Sequence, residues 1–190
     1  MIFTVSEAAQ NKIVEILTSH GQEGWAIRVR ILGRGIDRFA YDIHSVPAET
    51  QHAGDLVIDT GPFKVFVDAE SAPLLEDATL NFDAGASAFQ IDNPNPVWTD
   101  DIGRRVAEVL IEQVNPSIAA HGGAVLPVDV RDGVVYVRMF GGCQGCGMAN
   151  ATLVMGVERA LKEAIPEIQA VVDVTHHAAG TNPYYPPTRS

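Results

Sequence analysis

Residues 125–147 read VLPVDVRDGVVYVRMFGGCQGCG. Residues 125–130 and 134–140 are β-prone runs, and Asp132-Gly133 between them is a strong hairpin signal, because tight turns of that kind need positive φ at both central residues. The stretch Gly141-Gly142-Cys143-Gln144-Gly145-Cys146-Gly147 then leaves a strand and enters a helix, with Leu153, Val154, Val157, Leu161 and Ala164 facing inward and Pro166 limiting it. Residues 171–175 read as a last strand. Upstream, Thr99 is a candidate N-cap followed by Asp100 and Asp101, whose charges suit the positive end of a helix dipole. Ile102, Val106, Val109, Leu110 and Val114 form the buried stripe of that helix. Asn115-Pro116 interrupts the run and starts a second short helix through Ile118 to His121-Gly122-Gly123. The order is α, α, β, β, α, β.

The first half has a different pattern. Ser6 caps a helix with Ala9, Ile13, Ile16 and Leu17 at helical spacing, ending at His20-Gly21. From Trp25 the period becomes two, with Trp25, Ile27, Val29 and Ile31 on one face and Arg28 and Arg30 on the other, the pattern of a half-buried strand. Short strands follow at residues 39–43, 56–58, 65–67, 80–82 and 89–91, with a short helix at 69–75 limited by Pro73. The seam is Asn93-Pro94-Asn95-Pro96, where two prolines fix φ and remove two backbone donors. The fold class is therefore α+β in two domains, residues 1–93 and 99–190, joined by a linker at 94–98.

With 190 residues and 46% hydrophobic residues, the chain has enough material for packed cores. Thirteen Lys and Arg against 24 Asp and Glu give a net charge of −11, which disfavours nucleic acid and anionic membrane surfaces as partners. Residues 1–97 carry 14 of the acids and six of the bases, so most of the excess sits in the first half. No apolar run has the length of a membrane span, and Met1-Ile2-Phe3-Thr4-Val5-Ser6-Glu7 lacks a basic signal-peptide start. The expectation is a cytoplasmic protein.

The chain has two cysteines, Cys143 and Cys146. Such usage points to a reducing compartment and a chemical role for the pair. The glycines let the backbone approach a bulky inorganic ligand, and the N-terminus of the following helix favours thiolate over thiol. Four readings remain open on the residues alone. The cysteines could be inert core residues, or a dithiol exchanging with disulfides. They could hold zinc with two of His121, His176 and His177. Finally, two chains could each supply Cys143 and Cys146, giving the four thiolates of a Cys₄ [4Fe–4S] site.

Asn115-Pro116, His121-Gly122-Gly123, Val130-Arg131-Asp132-Gly133-Val134, Phe140-Gly141-Gly142-Cys143-Gln144-Gly145-Cys146, Thr152-Leu153 and Gly156-Val157-Glu158 together resemble the Nfu-type iron–sulfur carrier domain. The first half resembles the A-type, or HesB-like, iron–sulfur scaffold in its opening helix, in Gly35-Ile36-Asp37-Arg38-Phe39-Ala40-Tyr41, in Asp68-Ala69-Glu70-Ser71 and in its close at Asn93-Pro94-Asn95. That family's first ligand cysteine falls at Ile36, and its C-x-C pair, expected after Asn95, is missing. A cysteine-free A-type domain joined to an Nfu domain is similar to the bacterial NfuA-type carriers.

The resemblance implies a β-rich A-type domain followed by a small α/β Nfu domain. It implies a homodimer bridged by a [4Fe–4S] cluster on Cys143 and Cys146 of each chain. The cluster would come from scaffold proteins and pass to apo iron–sulfur proteins by thiolate exchange, without enzymatic bond-making and with no catalytic residue. The first half would help to dock acceptors. Gly142, Gly145 and Gly147 would shape the loop, Met148 would pack near the cluster or in the core, and residues 175–185 resemble the family's terminal segment, with Tyr184 and Tyr185 shielding the site or folding back onto the domain.

Overall fold

The computed structural model describes residues 3–120, 122–143 and 147–176, and of residues 147–152 it describes the backbone alone. The chain divides into two compact units. One holds the chain up to Ile31 together with Tyr41–Pro96; the other holds Leu32–Ala40 and the chain from Val97 onward.

The first unit begins with β1 (Thr4–Val5) and α1 (Glu7–Ser19). Ser6 caps α1 as its sequence predicts, accepting the Ala9 N–H at 3.3 Å, and Ala9, Ile13 and Leu17 are the face it buries. β2 (Ala26–Arg34), β3 (Phe39–Val46), β4 (Leu56–Asp59) and β5 (Lys64–Val67) form a sheet in the order β3-β2-β5-β4. β6 (Thr79–Asp83) and β7 (Ala88–Asp92) join β1 in a second sheet ordered β1-β6-β7. The expected short helix is a 3₁₀ turn, Ala72–Leu75, with Pro73 near its start.

β2 departs from the expected alternation. Arg28, read as facing solvent, is 5% exposed. Its guanidinium donates to the Asp55 carboxylate at 3.2 and 3.0 Å and to the Thr50 carbonyl at 2.9 Å, and it lies 5.5 Å from the Phe66 ring centroid. A buried charge needs such pairing and hydrogen bonding to be tolerated. Arg30, further along, keeps the expected partial exposure and pairs with Asp42.

The first unit closes on asparagine side chains. Asn93 donates to the Leu74 carbonyl at 2.9 Å and to the Tyr41 hydroxyl at 3.1 Å. Asn95 donates to the carbonyls of Leu74 and Glu76 at 3.1 and 2.8 Å. Pro94 and Pro96 have no N–H to offer, so these amides anchor the stretch in place of a backbone ladder.

In the second unit, α2 (Asp101–Glu108) is capped by Asp100, whose carboxylate accepts the Gly103 N–H at 2.8 Å. Thr99, the expected cap, lies one residue too early. The chain then runs through a π-helical stretch, Val109–Val114, into α3 (Asn115–Ala119). The expected interruption at Asn115-Pro116 is thus a widening of the helix rather than a break, and π-turns of this kind often accompany functional positions.

β8 (Gly123–Arg131) and β9 (Val134–Gly141) pair antiparallel from Gly123↔Gly141 to Arg131↔Val134, with an irregularity between Pro127 and Asp129. Asp132 and Gly133 both take positive φ, at 50° and 75°, as the hairpin signal requires. α4 (Gly147–Ala164) leads to β10 (Ala170–Asp173), which pairs parallel with β9 and completes a sheet ordered β10-β9-β8. The Val174 N–H continues the ladder to the Val137 carbonyl, and the Thr175 hydroxyl accepts the Met139 N–H.

Helix and sheet meet in one core. Val106, Leu110, Val114 and Ile118 from the helices, Val125, Val135, Val137 and Met139 from the sheet, and Val157, Leu161 and Ile165 from α4 and its end form one buried cluster. Ala164, expected inward, is exposed, and Ile165 at 1% exposure fills the core instead. The α+β class and the α, α, β, β, α, β order of this unit stand as read from the sequence. No helix among the described residues is long and apolar enough to cross a membrane.

Candidate functional site

The site is built where the far ends of β8 and β9 meet. Gly123 faces Gly141 as the last register pair, and the Gly142 N–H donates to the Gly122 carbonyl at 3.0 Å. Gly141 has φ of 62°, and a Cβ there would collide with the Gly122 carbonyl. Glycine therefore lets the two backbones cross at a spacing that other residues would prevent.

Gly123 serves a different purpose. A Cβ on it would overlap the Cys143 Sγ and lie 3.1 Å from Cγ2 of Ile118. The thiol thus sits over the bare face of Gly123. Cys143 is 9% exposed and belongs to the core that also holds Val114, Ile118, Val125 and Met139. Its side chain is seated inward.

The strand that carries Gly123 is held by a residue whose role the sequence did not reveal. The Asn115 side-chain amide donates to the Val125 carbonyl at 3.0 Å and accepts the Val125 N–H at 2.8 Å. It occupies the place of a neighbouring strand residue, on the partly buried backbone groups that the edge of β8 presents. Asn115-Pro116 reads in sequence as a helix breaker, so the only available signal was that an asparagine stands beside it.

α4 begins at Gly147, four residues after Cys143. The backbone N–H groups and dipole at such a terminus favour an anionic sulfur close by. At the other end, Glu158 ties α4 to β10 by accepting the Val171 N–H at 3.1 Å, and Lys162 lies 2.5 Å from its carboxylate. The Lys162 hydrogen bond, with that of Val171, holds the Glu158 carboxyl below its ordinary range.

Of the sequence-predicted ligands, Cys143 is placed and Cys146 lies outside the described residues, as do Gln144 and Gly145. His121, His177 and the terminal tyrosines also lie outside them, while His176 is exposed after β10. The side chain of Met148 is likewise undescribed. Among the described residues no three His, Cys, Asp or Glu side chains gather into a metal-binding group.

Comparison with known proteins gives two family matches that divide the chain between them. The family described as iron-sulphur cluster biosynthesis matches residues 1–104, and the NifU-like domain matches residues 106–172. The Fe/S biogenesis protein NfuA of Ectopseudomonas mendocina is 36% identical over 96% of this chain and 98% of its own. The protein of the same name from Pseudomonas aeruginosa is 37% identical over the same shares. A solved structure of IscA with the [2Fe-2S] cluster covers 50% of this chain and 86% of its own at 23% identity, with a TM-score of 0.41. With both family models in order along one chain, and relatives matching it nearly end to end, the chain belongs to the family of Fe/S biogenesis proteins NfuA.

Proposed function

We propose that this protein is an iron–sulfur cluster carrier that holds a [4Fe–4S] cluster between two copies of itself, through Cys143 and Cys146 of each chain. The observation that supports it most is the glycine crossing of Gly122, Gly123, Gly141 and Gly142, which fixes Cys143 at the end of β9 just ahead of α4. Thiolates suit iron–sulfur clusters, and two per chain match the four that such a cluster takes when a dimer supplies them.

The cluster is cargo. Release proceeds by ligand exchange: an acceptor thiolate forms a sulfur–iron bond as one from Cys143 or Cys146 breaks, and the freed thiolate takes a proton from solvent. Iron is neither oxidised nor reduced in that exchange. No bond of an organic substrate is made, so the protein is not an enzyme on this reading, and its place is the reducing cytoplasm. Scaffold proteins are the donors and apo iron–sulfur proteins the acceptors.

The acidic first half docks acceptors on this reading, and exposed acids such as Glu49, Asp59 and Asp83 offer the charge for it. Anaerobic transfer from the loaded protein to an apo acceptor tests the proposal. Replacing those three acids with their amides should slow transfer while leaving bound iron unchanged. Equal rates would remove the docking role, and failure of the intact protein to transfer at all would remove the carrier role.

A further inference from the structure

The thiol of Cys143 is buried among Val114, Ile118, Val125 and Met139, although a ligand shared between two chains has to reach their common surface. Gly123 is the residue that makes the buried position possible. Its missing Cβ is the space in which Sγ lies, and Ile118 Cγ2 and the Cys143 Cβ are 3.1 and 3.3 Å from where that Cβ would stand. The strand is held against sliding to relieve a larger residue by hydrogen bonds on both sides of Gly123. Asn115 fixes Val125 through both of its backbone groups, and the Gly142 N–H fixes Gly122 through its carbonyl.

We infer that Gly123 is a positioning residue that seats Cys143 in a closed state in the iron-free chain, and that cluster loading must carry the thiol out of this seat. The inference deepens the carrier reading and rests on it for its consequence, since only a ligand has reason to leave. A buried thiol is unreactive, so the closed seat protects the ligand from alkylation and oxidation until iron is present. The open form is then a minor state that the cargo selects. Gly123 thereby sets how much of the chain is ready to load.

The test uses the full iron-free chain with Cys146→Ala, so that Cys143 is its one thiol. Iodoacetamide reports the open population through the alkylation rate in native buffer. Gly123→Ala should raise that rate at least tenfold with an unchanged far-UV spectrum. Gly156→Ala, where an added Cβ meets nothing within 4 Å, should leave it unchanged. A Gly123→Ala rate within twofold of the parent would overturn the inference.

A second measurement covers a variant that folds poorly. The denaturant midpoint lost to Gly123→Ala should be clearly smaller when Cys143→Ala has already removed Sγ. Such coupling identifies the sulfur as what the glycine accommodates, and a merely structural role for Gly123 would not produce it. Equal losses in the two backgrounds would overturn the inference whatever the alkylation rate. Iron and sulfide content after reconstitution tests the carrier reading separately, because neither measurement here involves iron.

Discussion

Asn115 treats Val125 as a strand treats its neighbour, giving a hydrogen bond to its carbonyl at 3.0 Å and taking one from its N–H at 2.8 Å. One side chain thus links the end of the π-helical stretch to the strand that leads back to Gly123. Asn115→Ala removes both partners and strands two partly buried backbone groups, at a cost of about 1–3 kcal/mol for groups of this kind. Asn115→Asp keeps the acceptor but sets a carboxylate against the Val125 carbonyl, so it should not restore the loss. Urea unfolding of the three proteins checks both statements.

In the first unit, Arg28 and Asp55 form a buried pair with side chains 6% and 2% exposed. Removing one partner leaves an uncompensated charge in the interior. Arg28→Ala or Asp55→Ala should each destabilise this unit by about 3–5 kcal/mol, whereas removing both should cost less than the two losses together. A double-mutant cycle by chemical denaturation measures the difference.

That pair also sets a pH dependence. Burial pushes the Asp55 carboxyl up, but hydrogen bonds from Arg28 and the His52 N–H outweigh it and leave the carboxyl below its ordinary value. A folded-state value below the unfolded one gives stability that is present above about pH 4 and is lost as pH falls through the folded value. Unfolding of the parent should therefore become easier in that acid range. Asp55→Asn should be weaker at neutral pH and show a smaller further loss on acidification.

The caps give smaller effects at defined places. Ser6→Ala removes the acceptor for Ala9 and Asp100→Ala the acceptor for Gly103, each worth about 1 kcal/mol. Thr99→Ala, at the residue the sequence favours as the cap, should cost little. Thermal unfolding of the three variants distinguishes Asp100 from Thr99 as the functional cap.

Much of this was legible in the chain. The period change after α1 and the Asp132-Gly133 turn are local signals, and each describes the element that formed. Three features were not local. Arg28 reads as a solvent-facing residue until Asp55 and Thr50 are brought against it by the sheet. Ala164 reads as inward by period, but α4 ends there and Ile165 takes the core position. Asn115 reads as half of a helix-breaking dipeptide, and its value depends on Val125 lying beside it. At the site, the glycines between residues 141 and 147 point to a backbone open to a bulky ligand, not to the sulfur itself filling the space over Gly123. The overlap between the Cys143 Sγ and the place a Gly123 Cβ would take shows that.

The central claim is that two copies of the chain hold one cluster on four thiolates. Anaerobic reconstitution with iron and sulfide, followed by native mass spectrometry and Mössbauer spectroscopy on the same sample, tests it most directly. The account predicts a dimer carrying four irons and four sulfides as one [4Fe–4S] centre, lost in both Cys143→Ala and Cys146→Ala. A monomer with a single zinc and no iron, or a cluster that survives either substitution, would contradict it.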